Sequence, residues 1–144
     1  MKPNQWIACG ALLAGLAVAA GAFGAHGLER LLTQGRPHAE LTANQPDDIN
    51  RRLANYESAV RYHTYHALAL VLVGLTGTWR RSRLLDAAGW AFIVGVAGFS
   101  GGLYAIVFGA PTRLGATIVP FGGTTFIIGW FVLALAAWKV PRTA

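Results

Sequence analysis

QWIACGALLAGLAVAAGAFGAHGL, residues 5–28, is a run without Asp, Glu, Lys or Arg, and its length decides the fold class. A helix that crosses a bilayer needs about 20 predominantly apolar residues. The run also exceeds the apolar core of a signal peptide, which has roughly 7–15 residues. We therefore expect an uncleaved transmembrane helix over about 5–28. Further apolar runs predict three others over about 57–79, 85–108 and 116–138.

The composition favours the same class. Of 144 residues, 54% are hydrophobic and only 12% are charged, whereas a soluble domain carries about 25% charged residues. The sequence thus predicts an all-α polytopic membrane protein, a four-transmembrane-helix bundle in a single domain over 1–144, surrounded by the lipid bilayer. The net charge of +6 comes from short basic clusters between the apolar runs, so we expect no nucleic-acid partner. The single cysteine, Cys9, excludes a disulfide framework within the chain.

A polar loop over about 29–55 separates the first two apolar runs. Its middle, Gly35 to Asp48, contains two prolines and predicts an exposed, mobile segment. The acidic pair Asp47-Asp48 favours a helix start, because negative charge stabilises a helix N-terminus. We expect an interfacial helix that begins near Asp48 and leads into the second transmembrane helix. Glu57 and Arg61 follow in the i, i+4 order that favours an ion pair.

The stretch Arg61-Tyr62-His63-Thr64-Tyr65-His66 stands where the second transmembrane helix enters hydrocarbon. Ionisable groups inside a membrane are expensive and usually have a partner or a function. Tyr62 and His66 are i, i+4 neighbours and share a helix face, which His63 can join. The alternative is an aromatic belt with Tyr62 and Tyr65 at head-group level, which explains the tyrosines better than the histidines.

Two glycine motifs of equal spacing occur in the first and third helices. Their members are Gly21, Gly24, Gly27, Gly95, Gly98 and Gly101. Glycines at this spacing let another helix backbone approach closely, so we assign all six to helix packing. The repetition indicates a duplicated two-helix unit, with chance in a glycine-rich sequence as the competing explanation.

Further distinctive residues fall at matching depths of such a bundle. His26 ends the first helix, and Ser100 and Tyr104 lie in the last third of the third helix. Pro120 precedes two glycines and predicts a break or kink in the fourth helix. In an up-down-up-down bundle these positions share one half of the bilayer with His66. We expect a binding site there, whose candidate residues are His26, Arg61, Tyr62, His66, Ser100, Tyr104, Pro120, Gly122 and Gly123.

Basic residues are denser on one side of the bundle. Arg80, Arg81 and Arg83 lie in the short connection after the second helix, on the same side as both termini. Short loops rich in Lys and Arg stay in the cytoplasm. We therefore expect a bacterial inner-membrane protein with both termini in the cytoplasm, which puts the candidate site in the outer half of the bilayer.

Four ordered motifs carry a family resemblance. They are Gly21 to Leu28, Arg61-Tyr62 with His66 to Ala69, Phe99 to Gly101 with Leu103-Tyr104, and Leu114-Gly115 with Pro120, Gly122-Gly123 and Gly129-Trp130. Together they resemble small bacterial membrane proteins of the domain of unknown function 423 family, which has small eukaryotic transmembrane relatives. The resemblance covers nearly the whole chain and implies a four-helix inner-membrane protein without an established activity. It also implies that His26 and His66 belong to the family pattern, whereas His63 replaces a usual glutamine.

Three functional hypotheses follow. The first is binding or transport of a small solute, ion or lipid at the candidate site. The second is a structural or accessory subunit that forms a homo-oligomer or joins a larger membrane assembly through its glycine faces. The third is metal or haem binding through His26 with His66 or His63, since neutral imidazole suits zinc, copper and iron. We expect neither an enzyme nor a resident cofactor, because no serine, cysteine or carboxylate forms a recognisable nucleophile–base pair.

Overall fold

The computed structural model describes residues 1–35 and 45–138, which form helices and short connections without a strand. The helices are α1 (Pro3–Leu32), α2 (Gln45–Trp79), α3 (Arg83–Val107) and α4 (Thr112–Trp138). α1, α3 and most of α4 are long and apolar enough to cross a membrane. α2 is not in that group, because charged and polar residues fill its first half. The all-helical class predicted from the sequence is confirmed.

Local sequence sets several helix ends. The backbone N–H of Lys2 donates to Oε1 of Gln5 at 2.7 Å, a capping interaction at the start of α1. Ser82 caps α3 by accepting a hydrogen bond from the backbone N–H of Leu85 at 3.2 Å. After α3, the chain turns through Gly109 at φ +100°, a backbone conformation that favours glycine.

α2 begins at Gln45, slightly earlier than the predicted start near Asp48, and continues unbroken to Trp79. Asp48 accepts a hydrogen bond from Nε of Arg52 at 2.8 Å and also pairs with Arg51. Burial opposes the ionisation of Asp48, but the hydrogen bonds and charges of these two arginines outweigh it and lower the pKa of its carboxyl. The predicted mobile segment falls mainly on residues 36–44, which lie outside the described part of the chain.

α1 and α2 pack as an antiparallel pair that needs glycine at its closest contacts. A Cβ at Gly10 would lie 2.6 Å from the carbonyl oxygen of Ala67, and one at Gly74 would lie 2.8 Å from the backbone N of Ile7. Atoms cannot approach this closely, so larger residues would force the helices apart. Nearer the C-terminal end of α1, the hydroxyl of Tyr56 donates to the carbonyl oxygen of Ala20 at 2.9 Å.

α3 and α4 form a second antiparallel pair of the same kind. A Cβ at Gly98 would lie 3.1 Å from Cα of Gly122, and one at Gly129 would lie 2.7 Å from Cε1 of Phe92. Phe92 is fully buried, and Phe126 of α4 is 4% exposed. The two helix pairs share one hydrophobic core, which also contains Trp6 of α1.

Each pair contains one π-helical turn within a glycine-rich motif. The turns are Gly24–Leu28 in α1 and Val96–Ser100 in α3. Such turns are rare and are frequently found at functional sites. The glycine spacing predicted close packing, but it gave no indication of this local unwinding.

The sequence predicted a break or a kink at Pro120, and the helix is not broken there. α4 is helical on both sides of this proline, which lies inside the helix. The lost backbone hydrogen bond is tolerable in a membrane helix, because neighbouring groups and local adjustments can satisfy the freed carbonyl. Gly122 and Gly123 therefore lie within a continuous helix and not at an interruption.

Candidate functional site

His66 is a buried residue in the middle of α2 with both ring nitrogens engaged. Its side chain is 3% exposed. Nδ1 lies 2.7 Å from the carbonyl oxygen of Tyr62, and Nε1 of Trp130 lies 3.1 Å from Nε2. Because an indole N–H can only donate, we assign Nε2 as the acceptor and Nδ1 as the protonated nitrogen. His66 is thus held as one neutral tautomer by α2 and α4 together.

Aromatic rings fix the plane of the His66 imidazole. It stacks on Phe126 with ring centroids 3.3 Å apart and an interplanar angle of 8°. Phe92 of α3 packs against it at 5.6 Å. The phenol ring of Tyr62 lies parallel to the imidazole at 6.1 Å, with an angle of 9°. Aromatic pairs in such arrangements add stability beyond the area they bury, so the ring is pre-positioned.

These rings border an open cavity of about 420 Å³, which we call the aromatic groove. It is lined by Tyr62, Tyr65, His66, Phe99, Gly123, Phe126, Ile127 and Trp130. Several lining side chains are also exposed, among them Tyr65 at 54% and Ile127 at 59%. The groove therefore opens sideways on the outer surface of the helix bundle. Its volume falls within the range of small-molecule sites, about 300–1,000 Å³.

Ser100 and Tyr104 do not line the aromatic groove; they lie one turn apart on α3, and Tyr104 lies near His63 of α2. The rings of His63 and Tyr104 are 6.3 Å apart. Both ring nitrogens of His63, Oγ of Ser100 and the hydroxyl of Tyr104 are buried without a hydrogen-bond partner in the described part of the chain. Buried polar atoms are rarely left in this state. His63, which the family resemblance sets apart, thus lies near Tyr104, which the sequence selected.

His26 lies apart from both sites. Its side chain is exposed within the π-helical turn near the end of α1. Val71 packs at the level of Gly10 and Val60 at the level of Gly21, so His66 is level with about residue 15. His26 is therefore about 16 Å farther along α1. His26 and His66 therefore cannot coordinate one metal ion, and no cluster of three or more His, Cys, Asp or Glu side chains occurs in residues 1–35 and 45–138.

The remaining sequence candidates divide among several places. Gly123 lines the aromatic groove, whereas Gly122 is buried against the backbone of Phe99. Pro120 is exposed on α4. Arg61 lines a different groove, between α1 and α2. The structure therefore brings together Tyr62, His66 and Gly123 and leaves the other candidates outside the aromatic groove.

Sequence reasoning missed three aromatic residues of this groove. Phe126 and Trp130 are i, i+4 neighbours on one face of α4, and Phe99 closes the groove from α3. The i, i+4 aromatic spacing was the available signal. It gave no indication of the partner helix, because an aromatic stripe on an apolar helix is as consistent with contact to lipid as with a binding site.

Fold and groove define a class, namely small all-helical membrane proteins with a lateral aromatic cavity. A sequence profile described as protein of unknown function (DUF423) matches residues 20–123. The chain is 39% identical over 135 residues to a UPF0382 membrane protein of Staphylococcus aureus (strain bovine RF122 / ET3-1), covering 93% of this chain and 95% of the relative. It is 38% identical over 135 residues to the UPF0382 membrane protein YwdK of Bacillus subtilis (strain 168), covering 93% of this chain and 96% of the relative.

The chain belongs to this family of membrane proteins of unknown function, as the sequence motifs predicted. No solved structure matches the chain.

Proposed function

We propose that this protein is a non-enzymatic inner-membrane protein that binds a lipid-phase molecule in the aromatic groove. The observation that carries the proposal is the groove itself, a cavity of about 420 Å³ with largely aromatic walls that opens on the outer surface of the helix bundle. In a membrane we expect this surface to face lipid. A binding site of this shape receives its ligand from the bilayer and not from water. The sequence left the ligand open as a small solute, an ion or a lipid. The position of the groove favours a lipid or another lipid-soluble molecule.

The chemistry of the walls specifies the ligand further. The imidazole of His66 has both nitrogens occupied, and the indole N–H of Trp130 is already donated. Polar recognition therefore falls to the phenols of Tyr62 and Tyr65, which can donate or accept at the rim of the groove. The expected ligand has an apolar body that stacks on aromatic rings and at least one hydrogen-bonding group at its end.

The proposal includes a fourth membrane crossing by α2. α2 packs along α1 from Tyr56, beside Gly24, to Gly74, beside Ile7, so it traverses the same thickness in the opposite direction. The three-residue connection after Trp79 then returns the chain into α3. A four-span topology satisfies this register, with the charged first turns of α2 at the membrane surface.

The orientation of the bundle follows from its basic residues. Lys2 lies at the start of α1, and the side chain of Arg81 donates to the carbonyl oxygen of Met1 at 3.1 Å. The basic turn between α2 and α3 is therefore at the same end as the start of α1. By the positive-inside rule this end is cytoplasmic, and the first turns of α2 are outside.

Self-assembly through the glycine motifs is not part of the proposal. Gly24 packs against Tyr56, and Gly98 packs against Gly122, so both glycines serve contacts within the chain. Metal or haem binding through His26 and His66 is likewise excluded from it, because these histidines are on separate levels of the bundle.

Filling the groove tests the proposal. A Cβ at Gly123 would meet Phe99 at 3.5 Å, an ordinary contact, so Gly123→Leu can occupy the groove without a backbone clash. Gly15→Leu is the matched control, because nothing lies within 4 Å of a Cβ on that exposed face. We expect lipid extracts of the purified wild type and of Gly15→Leu to contain an enriched apolar molecule that mass spectrometry detects, and Gly123→Leu to lose it. Equal enrichment in all three proteins, or in none, would contradict the proposal.

A further inference from the structure

A second cavity, of about 330 Å³, lies between α1 and α2 and is called the charged groove here. Its floor consists of small and aliphatic residues such as Gly21, Gly24 and Val60. Tyr56 forms part of the wall, with its hydroxyl already donated to the carbonyl oxygen of Ala20. The charged members of the lining are Glu57 and Arg61, on successive turns of α2.

Glu57 and Arg61 do not form the ion pair that their spacing predicts. No salt bridge joins either of them to another residue in the described ranges, and both side chains are exposed. Ionised groups beside lipid are costly and usually have a partner. Two opposite charges that line one groove without neutralising each other are complementary to a ligand that carries both signs.

The order of the two charges along the membrane normal is defined by the helix register. Glu57 follows Tyr56, which packs at the level of Gly24, and Arg61 follows Val60, which packs at the level of Gly21. Arg61 is therefore one turn, about 6 Å, nearer the middle of the bilayer than Glu57. The cation of Arg61 thus lies deeper in the bilayer, and the anion of Glu57 lies nearer the membrane surface.

A phospholipid with an ethanolamine headgroup has the opposite charges in the same order, with its phosphate nearer the acyl chains and its ammonium farther out. Arginine binds phosphate in a bidentate manner, and a primary ammonium has three N–H donors for a carboxylate. A choline headgroup has no N–H to donate to Glu57. A glycerol headgroup has no cation, so it would leave the charge of Glu57 uncompensated.

We propose that the charged groove binds one phosphoethanolamine phospholipid, with its phosphate on Arg61, its ammonium on Glu57 and part of an acyl chain over the glycine floor. This site is formed by α1 and α2 and shares no residue with the aromatic groove. The proposal rests on the membrane crossing by α2 proposed above, but not on ligand binding in the aromatic groove.

Native mass spectrometry of the full chain, released from nanodiscs with equal amounts of phosphatidylethanolamine, phosphatidylcholine and phosphatidylglycerol, tests this site. We expect one retained phosphatidylethanolamine, favoured about tenfold over the other two lipids, as one additional charge-assisted hydrogen bond allows. Glu57→Gln should remove most of the preference over phosphatidylcholine. Arg61→Gln should weaken retention of all three lipids.

Two further variants test the charge order and the position of the site. The double variant Glu57→Arg with Arg61→Glu keeps the net charge but reverses the order, so it should lose the ethanolamine preference. Arg113→Gln removes an exposed cation from the same end of the bundle outside the groove and should bind like the wild type. Equal retention of the three lipids, preference for phosphatidylglycerol, or an unchanged preference in the reversed variant would overturn the proposal.

Discussion

The imidazole of His66 is held in place by polar and aromatic contacts from two helices. One hydrogen bond holds it to its own helix, a second comes from Trp130 of α4, and Phe126 stacks on its face. The first contact is within α2, and the other two come from one face of α4. Together these contacts hold the imidazole as one neutral tautomer in one orientation, in the wall of the aromatic groove.

Removing the indole N–H of Trp130 should lower the free energy of unfolding. Trp130→Phe leaves Nε2 of His66 buried without a donor, and an unsatisfied buried acceptor costs about 1–3 kcal/mol. We expect that loss in the free energy of unfolding, measured by denaturant titration in detergent micelles. Trp138→Phe is the control, because Trp138 is 90% exposed and should change the free energy little. A loss of similar size in the control would show that the effect is not specific to His66.

His63 should respond in the opposite way. Because both of its ring nitrogens are buried without a described partner, His63→Leu removes two unsatisfied groups and leaves an apolar residue. We expect unchanged or higher stability, by up to about 2 kcal/mol, in the same titration. A loss greater than about 1 kcal/mol would show that the histidine has a partner that matters for the fold.

The residue scale also separates what the sequence predicted from what it could not. His66 was identifiable because an imidazole inside an apolar run is costly. Its partner Trp130 was not, because that contact joins residues 64 positions apart and depends on how α2 and α4 meet. His26 was selected for its position at the end of the first helix, yet it is exposed there and does not reach the level of His66.

The elements are two antiparallel helix pairs, each closed by glycine at its nearest contacts. The apolar runs predicted all four helices, since length and hydrophobicity dominate helix formation in lipid. Pro120 predicted a break or a kink, and no break is present, because a single lost hydrogen bond does not terminate a membrane helix. The π-helical turns had no sequence signal beyond glycine.

Close packing of α3 on α4 should depend on Gly122. A Cβ there would lie 2.7 Å from the carbonyl carbon of Gly98 and 2.9 Å from Cα of Phe99, and backbone atoms cannot move aside as a flexible side chain can. We expect Gly122→Ala to lower the free energy of unfolding by about 1–3 kcal/mol. Gly15→Ala adds the same methyl group in open space and should be neutral or slightly stabilising. Equal effects at the two positions would contradict the packing described here.

The proposed four-span topology of the whole molecule requires that α2 crosses the bilayer. Its first turns carry the Asp48 ion pairs, and its end leads into the basic turn beside the start of α1. If α2 crosses, these two ends are on opposite sides of the membrane. The sequence predicted this topology from alternating apolar runs, but hydropathy alone does not select α2, because its first half is polar.

Accessibility of single cysteines can test the crossing. In a Cys9→Ala background, Asp47→Cys should react with a membrane-impermeant thiol reagent added to intact spheroplasts. Trp79→Cys should react only after the membrane is permeabilised, because the proposed orientation puts position 79 at the cytoplasmic end. Both side chains are exposed, so neither should be shielded by the protein. Labelling of both positions from the same side would exclude a crossing by α2.

The central claim is that the aromatic groove receives a molecule from the lipid phase, and photolabelling tests it most directly. The full chain in liposomes is irradiated with a diazirine-bearing fatty acid, and the modified residues are mapped by mass spectrometry. We predict labelling concentrated on Tyr62, Tyr65 and Ile127, and its loss in Gly123→Leu but not in Gly15→Leu. Labelling spread evenly over the exposed apolar residues of all helices, and unchanged by Gly123→Leu, would contradict the account.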